Sequence, residues 1–280
     1  MSQMLPNELI EQIVQWLPPL HRFQLSTAFR FLVIQRQTVP FLEAATPDAA
    51  SCKGQVDLLN YLKHNSLPFQ YSSAAMDGAS RYGHVTILQW WADLGEPLLY
   101  TKDAMNWASR NGHTQVLEWW KAQKDRYTLQ YSDEAMDWAA EHNQSETIKW
   151  WLLVSNLWIH CSSKCVDWIS RHGNKELLQL WFKQPFVRWF PSLGRPSLDT
   201  IDYAPNALIL DFWLNQDRAS FKSSTMAMDF ASQNGNLGVL QWWKDSGLEL
   251  RFTSAAIDGA RENGHIIVLD WWIESAIAAK

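Results

Sequence analysis

The apolar and polar positions of this chain repeat in one register. Residues 104–120 read AMNWASRNGHTQVLEWW, and the same pattern returns at 75–91, 135–151, 165–181, 227–243 and 256–272. Weaker copies stand at 46–62 and 197–213. The position held by glycine is Gly54, Gly83, Gly112, Asn143, Gly173, Pro205, Gly235 and Gly264, with separations of 29, 29, 31, 30, 32, 30 and 29. Eight copies at so steady a period predict an array of supersecondary units, each of which buries its apolar face against its neighbours.

Each copy predicts two short antiparallel helices. The first starts at a Ser or Thr (Ser72, Thr101, Ser132, Ser224, Thr253), whose hydroxyl can satisfy a backbone N–H of the first turn. Acidic residues follow in Thr101-Lys-Asp and Ser132-Asp-Glu, where the helix dipole favours negative charge. The residue before the cap is often aromatic (Tyr71, Tyr100, Tyr131, Phe252), and five positions later stands Met76, Met105, Met136 or Ile257. That spacing predicts a hydrophobic staple of each aromatic on its own helix. The central glycine predicts a left-handed turn. In the second helix Val116, Leu117, Trp119 and Trp120 cover more than one side, as a helix buried between neighbours must.

On these residues the chain resembles the ankyrin repeat, whose TPLHxAAxxGH and VVKLLL segments run in the frame of AMNWASRNGH and VLEWW. The resemblance covers about residues 40–280. Three features depart from it. Asp or Asn (Asp77, Asn106, Asp137, Asp229, Asp258) stands where the family has His, Trp-Trp replaces Leu-Leu, and the period is nearer 30 than 33. The shorter period implies that the projecting β-hairpin is clipped to a short loop. The fold expected is all-α, an ankyrin-type helix-turn-helix solenoid of about eight repeats over 39–280. In such stacks the two residues before the glycine face a concave groove. Here they are Arg81 and Tyr82, Arg110 and Asn111, Glu141 and His142, Arg171 and His172, Tyr203 and Ala204, Gln233 and Asn234, and Glu262 and Asn263. They vary while their neighbours do not, and Arg81, Arg110 and Arg171 predict an acidic partner segment. Helices pack ~8–10 Å apart and an extended chain advances ~3.3 Å per residue, so a peptide-like protein partner suits this face better than a metabolite.

Residues 1–38 lack the repeat. LPNELIEQIVQWLPPLHRFQLSTAFRFL puts Leu5, Leu9, Ile13 and Trp16/Leu17 on one helical face before Pro18-Pro19 breaks the helix. This segment resembles an F-box, the helix pair that docks on the Skp adaptor of cullin–RING ubiquitin ligases. By that resemblance Leu5, Pro6, Leu9, Ile10, Ile13, Leu17 and Pro18 are the docking residues. The alternative is an amphipathic cap over the first repeat, since the ends of stacked arrays need cover.

Composition agrees with a globular binding chain: 47% apolar, 19% charged, net charge −5 and 18 Trp among 280 residues. The acidic balance argues against nucleic-acid or anionic-membrane partners. Cys52, Cys161 and Cys165 are too few for a disulfide framework and fit a reducing compartment, the cytoplasm or nucleus. The N-terminus has no basic n-region and no stretch of 18 apolar residues occurs, so neither a signal peptide nor a membrane span is expected. The Trp pairs read as core and His84, His113 and His265 as structural. His160, Cys161, Cys165 and His172 lie outside usual zinc spacing. With no catalytic motif in the chain, the expectation is a scaffold without enzymatic activity, cofactor or metal. Its outward Ile266, Ile267, Val268, Leu269, Trp271 and Trp272 predict an uncovered C-terminal face, and with it either self-association through this end or a chain cut or evolved to be completed by a partner.

Overall fold

The computed structural model describes residues 46–64, 69–95, 97–189, 193, 195–219 and 221–275. The candidate adaptor-docking residues Leu5 to Pro18 lie outside them. Regular structure among the described residues is entirely helical. In chain order the helices are α1 (Pro47–Cys52), α2 (Val56–His64), α3 (Ser73–Arg81), α4 (Val85–Leu94), α5 (Asp103–Arg110) and α6 (Thr114–Ala122). Then come α7 (Glu134–Glu141), α8 (Ser145–Lys149, continued as a π-helical turn over Trp150–Val154), α9 (Lys164–Arg171), α10 (Lys175–Phe182) and α11 (Pro185–Trp189). The series ends with α12 (Leu198–Asp202), α13 (Ala207–Gln216), α14 (Met226–Gln233), α15 (Leu237–Asp245), α16 (Ser254–Glu262) and α17 (Ile266–Ser275).

The caps form where the hydroxyls stand. Ser72, Thr101, Ser162, Ser224 and Thr253 each accept a backbone N–H two residues on, at 3.1–3.2 Å. Ser132 differs, donating its hydroxyl to the Glu134 carboxylate. The turns between paired helices require glycine twice over. Gly112 has φ +78°, and a Cβ there would come within 2.5 Å of Gln144 Oε1 from the next copy. Asn143 takes the same left-handed conformation at φ 56°.

The chain divides into two compact units, Met1–Ala108 with Gln115–Gln130 and Ser109–Thr114 with Tyr131–Lys280. In the first unit α1 packs on α3 and α2 on α4. In the second, first helices pack on first helices (α7 on α9, α9 on α12, α12 on α14, α14 on α16) and second on second (α10 on α13, α13 on α15, α15 on α17). Alanines at fixed positions (Ala75, Ala79, Ala135, Ala139, Ala256, Ala260) are fully buried and let the first helices approach closely.

Three hydrogen-bond series join successive copies. In the first, the indole N–H of the second Trp donates to a buried serine of the preceding copy, at 2.9–3.1 Å: Trp91 to Ser51, Trp120 to Ser80, Trp151 to Ser109, Trp213 to Ser170 and Trp272 to Ser232. The exceptions follow the sequence. Ala140 stands where Trp181 needs its serine, and Trp181 donates to the Leu193 carbonyl. Asp202 stands where Trp243 needs one, and the Trp243 N–H is buried with no acceptor among the described residues. In the second series the first Trp reaches the polar residue before the preceding pair: Trp90 to Asn60, Trp119 to Gln89, Trp242 to Asp211 and Trp271 to Gln241. Where that residue is Lys149, which cannot accept, the next copy carries Leu180 in place of Trp.

The third series explains the acidic residue that sets this repeat apart. Both oxygens of Asp48, Asp77, Asp137, Asp202 and Asp229 accept from the Ser or Thr that caps the next first helix, one from its backbone N–H and one from its hydroxyl, at 2.5–3.0 Å. Asp167 holds Ser197 N–H and the Thr200 hydroxyl. Burial raises Asp77 and Asp137 above the usual carboxylate range, with the Thr101 and Ser162 hydrogen bonds pulling back.

One contact is added to those expected, and one expectation changes. The aromatic before each cap makes its ring contact with the second Trp of its copy: Tyr71 with Trp91 at 4.4 Å, Tyr100 with Trp120 at 4.7 Å, Tyr131 with Trp151 at 5.0 Å and Phe252 with Trp272 at 4.8 Å. The C-terminal Trp pair is also not uncovered, with Trp271 8% and Trp272 2% exposed. Their N–H groups point back to Gln241 and Ser232, and the apolar residues left outside are Ile266, Ile267 and Ile273.

Candidate functional site

The residues two before and one before each glycine position close the first helices, and most are solvent-facing. In the first unit Arg81 is exposed, and its guanidinium lies 4.2 Å from the Trp107 ring centroid and 5.5 Å from that of Tyr82, itself 51% exposed.

In the second unit Asn111, Glu141, His142, Gln233, Asn234, Glu262 and Asn263 are exposed, while Arg110, Arg171 and Tyr203 are half-buried. Arg110 Nε is 3.0 Å from His142 Nε2, and its guanidinium lies 5.8 Å from the Trp138 ring. Arg171 lies 5.1 Å from the Trp168 ring and 5.0 Å from the Tyr203 ring, and bonds Asp199 at 3.1 Å. His172 stacks on Trp168 and reaches the Glu141 carbonyl, and Asn263 donates to the Gln233 carbonyl. The three arginines are therefore held by rings of their own chain, and Arg171 also by a carboxylate. Asp199 partly answers the charge of Arg171, whereas the rings orient Arg81 and Arg110 without cancelling theirs.

A second aromatic series goes with these residues. Trp107, Trp138, Trp168 and Phe230 stand five positions before the glycine position. Arginine stacking on such faces is worth about 0.5–1 kcal/mol at exposed sites, and it fixes long side chains in one orientation. The signal lay in the AMNW, AMDW, CVDW and AMDF starts of these copies, which differ from the Trp pairs of the second helices.

One cavity, of about 480 Å³, opens in the second unit between Arg171, Tyr203, Ala204, Phe230, Ala231 and Asn234. Asp202 also lines it, with its carboxylate held by Ser224. Tyr203 and Phe230 meet edge to face at 4.7 Å.

The histidines and cysteines have structural places. A Cβ on Gly54 would lie 2.9 Å from the His84 ring, and one on Gly235 would lie 2.7 Å from His265 Nδ1, so these rings seat on glycine of the preceding copy. Cys165 is buried with Sγ 3.8 Å from the Met136 carbonyl oxygen, and His160 packs on Tyr131. Burial, with Asp137 and Asp133 nearby, pushes the Cys161 thiol up to about 12, away from the thiolate that metal binding or nucleophilic attack needs. Among the described residues no three His, Cys, Asp or Glu side chains converge on a metal site, and no helix is long and apolar enough to cross a membrane. No protein-family model matches the chain, and no curated protein matches it.

Proposed function

We propose that this chain is an ankyrin-type protein-interaction scaffold whose first-helix ends hold an extended segment of a partner protein. One observation carries the reading: contacts between copies are made by side chains that recur, whereas the exposed residues from Arg81 to Asn263 change from copy to copy. Repetition serves the stack and variation serves recognition. A photo-crosslinking residue placed at Asn111 or Glu262 is expected to capture a partner in the native cell, and one placed at Gln115 or Glu146 is not. Capture from the second pair alone would put the site on the other face.

Within this reading the N-terminal segment makes the chain a substrate-recruiting adaptor of a cullin–RING ligase. Affinity purification of the full chain is expected to bring down Skp and cullin subunits, and Leu9→Asp with Ile13→Asp is expected to lose them while crosslinking from Asn111 persists. Absence of both subunits from the wild-type purification would leave a free-standing scaffold whose N-terminal helices cap the first repeat.

A further inference from the structure

The copy at 197–213 has a short first helix. Its cap Ser197 stands eight residues before Pro205, as Thr46 does before Gly54, whereas Ser72, Thr101, Ser162, Ser224 and Thr253 stand eleven before their glycines. The first helix, Leu198–Asp202, is accordingly only five residues long. At the residue before the glycine position the other copies carry Tyr82, Asn111, His142, His172, Asn234 and Asn263, and this one carries the buried Ala204. A missing turn of helix and a missing polar side chain leave the 480 Å³ cavity between this copy and the next. Its size is that of a site for one large side chain or a small ligand.

The walls specify the occupant. Tyr203 and Phe230 offer aromatic surface, and Ala204 and Ala231 the remaining apolar lining. At the rim, Arg171 Nε is buried with no acceptor among the described residues, although Nη2 of the same group bonds Asp199. A buried N–H without an acceptor costs free energy, and an oxygen arriving with a ligand removes that cost. The oxygen should be neutral: Asp199 and Asp202 set two negative charges against the single Arg171, so a carboxylate would be repelled. Asn234 uses its amide N–H on the Phe230 carbonyl, which leaves the side-chain oxygen as an acceptor for a backbone N–H.

We propose that this cavity is the anchor pocket of the partner-binding face, taking an uncharged aromatic side chain of an extended segment, with a backbone carbonyl of that segment accepting from Arg171. The proposal rests on the scaffold reading above and adds where the partner is gripped and by what chemistry.

The test uses the full chain and two probes. N-acetyl-phenylalaninamide carries an aromatic ring and two neutral carbonyls, and is expected to bind with Kd on the order of 1 mM at drug-like ligand efficiency. In 15N–1H spectra, shifts should be confined to Arg171, Tyr203, Phe230 and Asn234. N-acetyl-aspartamide should not produce them. Ala204→Asn installs the residue that three other copies carry here, so it is compatible with the fold, and an unchanged melting temperature verifies this. It is expected to abolish the shifts. Arg171→Lys keeps the charge but removes Nε–H, and should weaken binding about fivefold. No shifts, shifts spread over other copies, or shifts that survive Ala204→Asn would each overturn the pocket. A displayed library of random twelve-residue peptides separates this failure from that of the scaffold. Peptides that bind wild type and Ala204→Asn equally would refute the pocket and keep the scaffold, whereas no binders at all would count against both.

Discussion

Ser170→Ala is the most discriminating single change for the contacts between copies. Ser170 Oγ is fully buried, donates to the Val166 carbonyl at 2.8 Å and accepts from Trp213 Nε1 at 3.1 Å. Val166 keeps its helical backbone hydrogen bond in the variant, so the group left unsatisfied is the indole N–H. An orphaned buried donor costs about 1–3 kcal/mol. Alanine returns about 0.5 kcal/mol as the better helix former, for a net loss of about 1.5 kcal/mol. In a unit of this size that lowers the melting temperature by roughly 3–6 °C. Ala140→Ser is the natural control, because Trp181 already has an acceptor in Leu193 O, and it should shift stability by less than about 0.5 kcal/mol. Denaturant titration measures both variants, and the Trp213 indole proton should exchange faster with solvent in Ser170→Ala. Stability of Ser170→Ala within about 0.5 kcal/mol of wild type would show that the Trp–Ser bonds are incidental to packing.

Other changes test other contacts. Asp77→Asn should be nearly neutral near pH 7, since Asn106 fills the same register fully buried, whereas Asp77→Ala should cost about 2 kcal/mol by leaving Thr101 unpaired. Because burial holds the Asp77 carboxyl above its ordinary value, the folded chain binds that proton more tightly than the unfolded chain. This contribution to stability is full below the ordinary carboxylate value and is lost as pH rises through the raised one. Wild type should therefore gain on Asp77→Asn as pH falls through that window, and a pH-independent difference in denaturant midpoints would contradict the assignment. Gly112→Ala should cost more than about 1 kcal/mol, while Asn143→Gly, relieving φ 56°, should gain about 0.5 kcal/mol, both read by thermal melts. Ile267→Glu with Ile273→Glu should abolish concentration-dependent association in sedimentation, and a wild-type chain that stays monomeric at high concentration excludes self-association through this end.

The parts of the fold legible in the sequence are those built from short-range chemistry. Ser72 and Thr253 cap because a hydroxyl two residues from an N–H needs nothing else, and Gly112 turns because only glycine takes that φ without strain. Contacts between copies were harder to read. Asp77 and Thr101 are 24 residues apart, and no local rule distinguishes a carboxylate that grips the next cap from one that sits in solvent. The Tyr71 ring meets Trp91 twenty residues on, a contact that depends on how the second helix packs. Trp271 is covered by a contact no local pattern shows: its N–H reaches Gln241 of the preceding copy, and the rings of Trp271 and Trp272 lie 5.0 Å apart. The arginines were read by charge alone, whereas their position over Trp107, Trp138 and Tyr203 depends on which aromatic the adjoining copy supplies.

The exceptions in this array are linked, and the links argue that the irregular copy is accommodated rather than merely tolerated. At 197–213 the first helix loses a turn and Asp199 is drawn to Arg171, so Asp202, a residue at the serine position, takes over the grip on Ser224. That displacement leaves the Trp243 N–H without a partner among the described residues, at a cost of about 1–3 kcal/mol. Proteins break their own local rules where another requirement outweighs stability. Here the departures converge on one place: an alanine where every other copy is polar or aromatic, and an indole N–H and an Arg171 Nε with no acceptor among the described residues. Ser at 202 would offer the Trp243 N–H an acceptor only by releasing Ser224, whereas Asn at 204 would fill the space between Tyr203 and Phe230. The orphaned indole therefore follows from the grip of Asp202, and the cavity from Ala204.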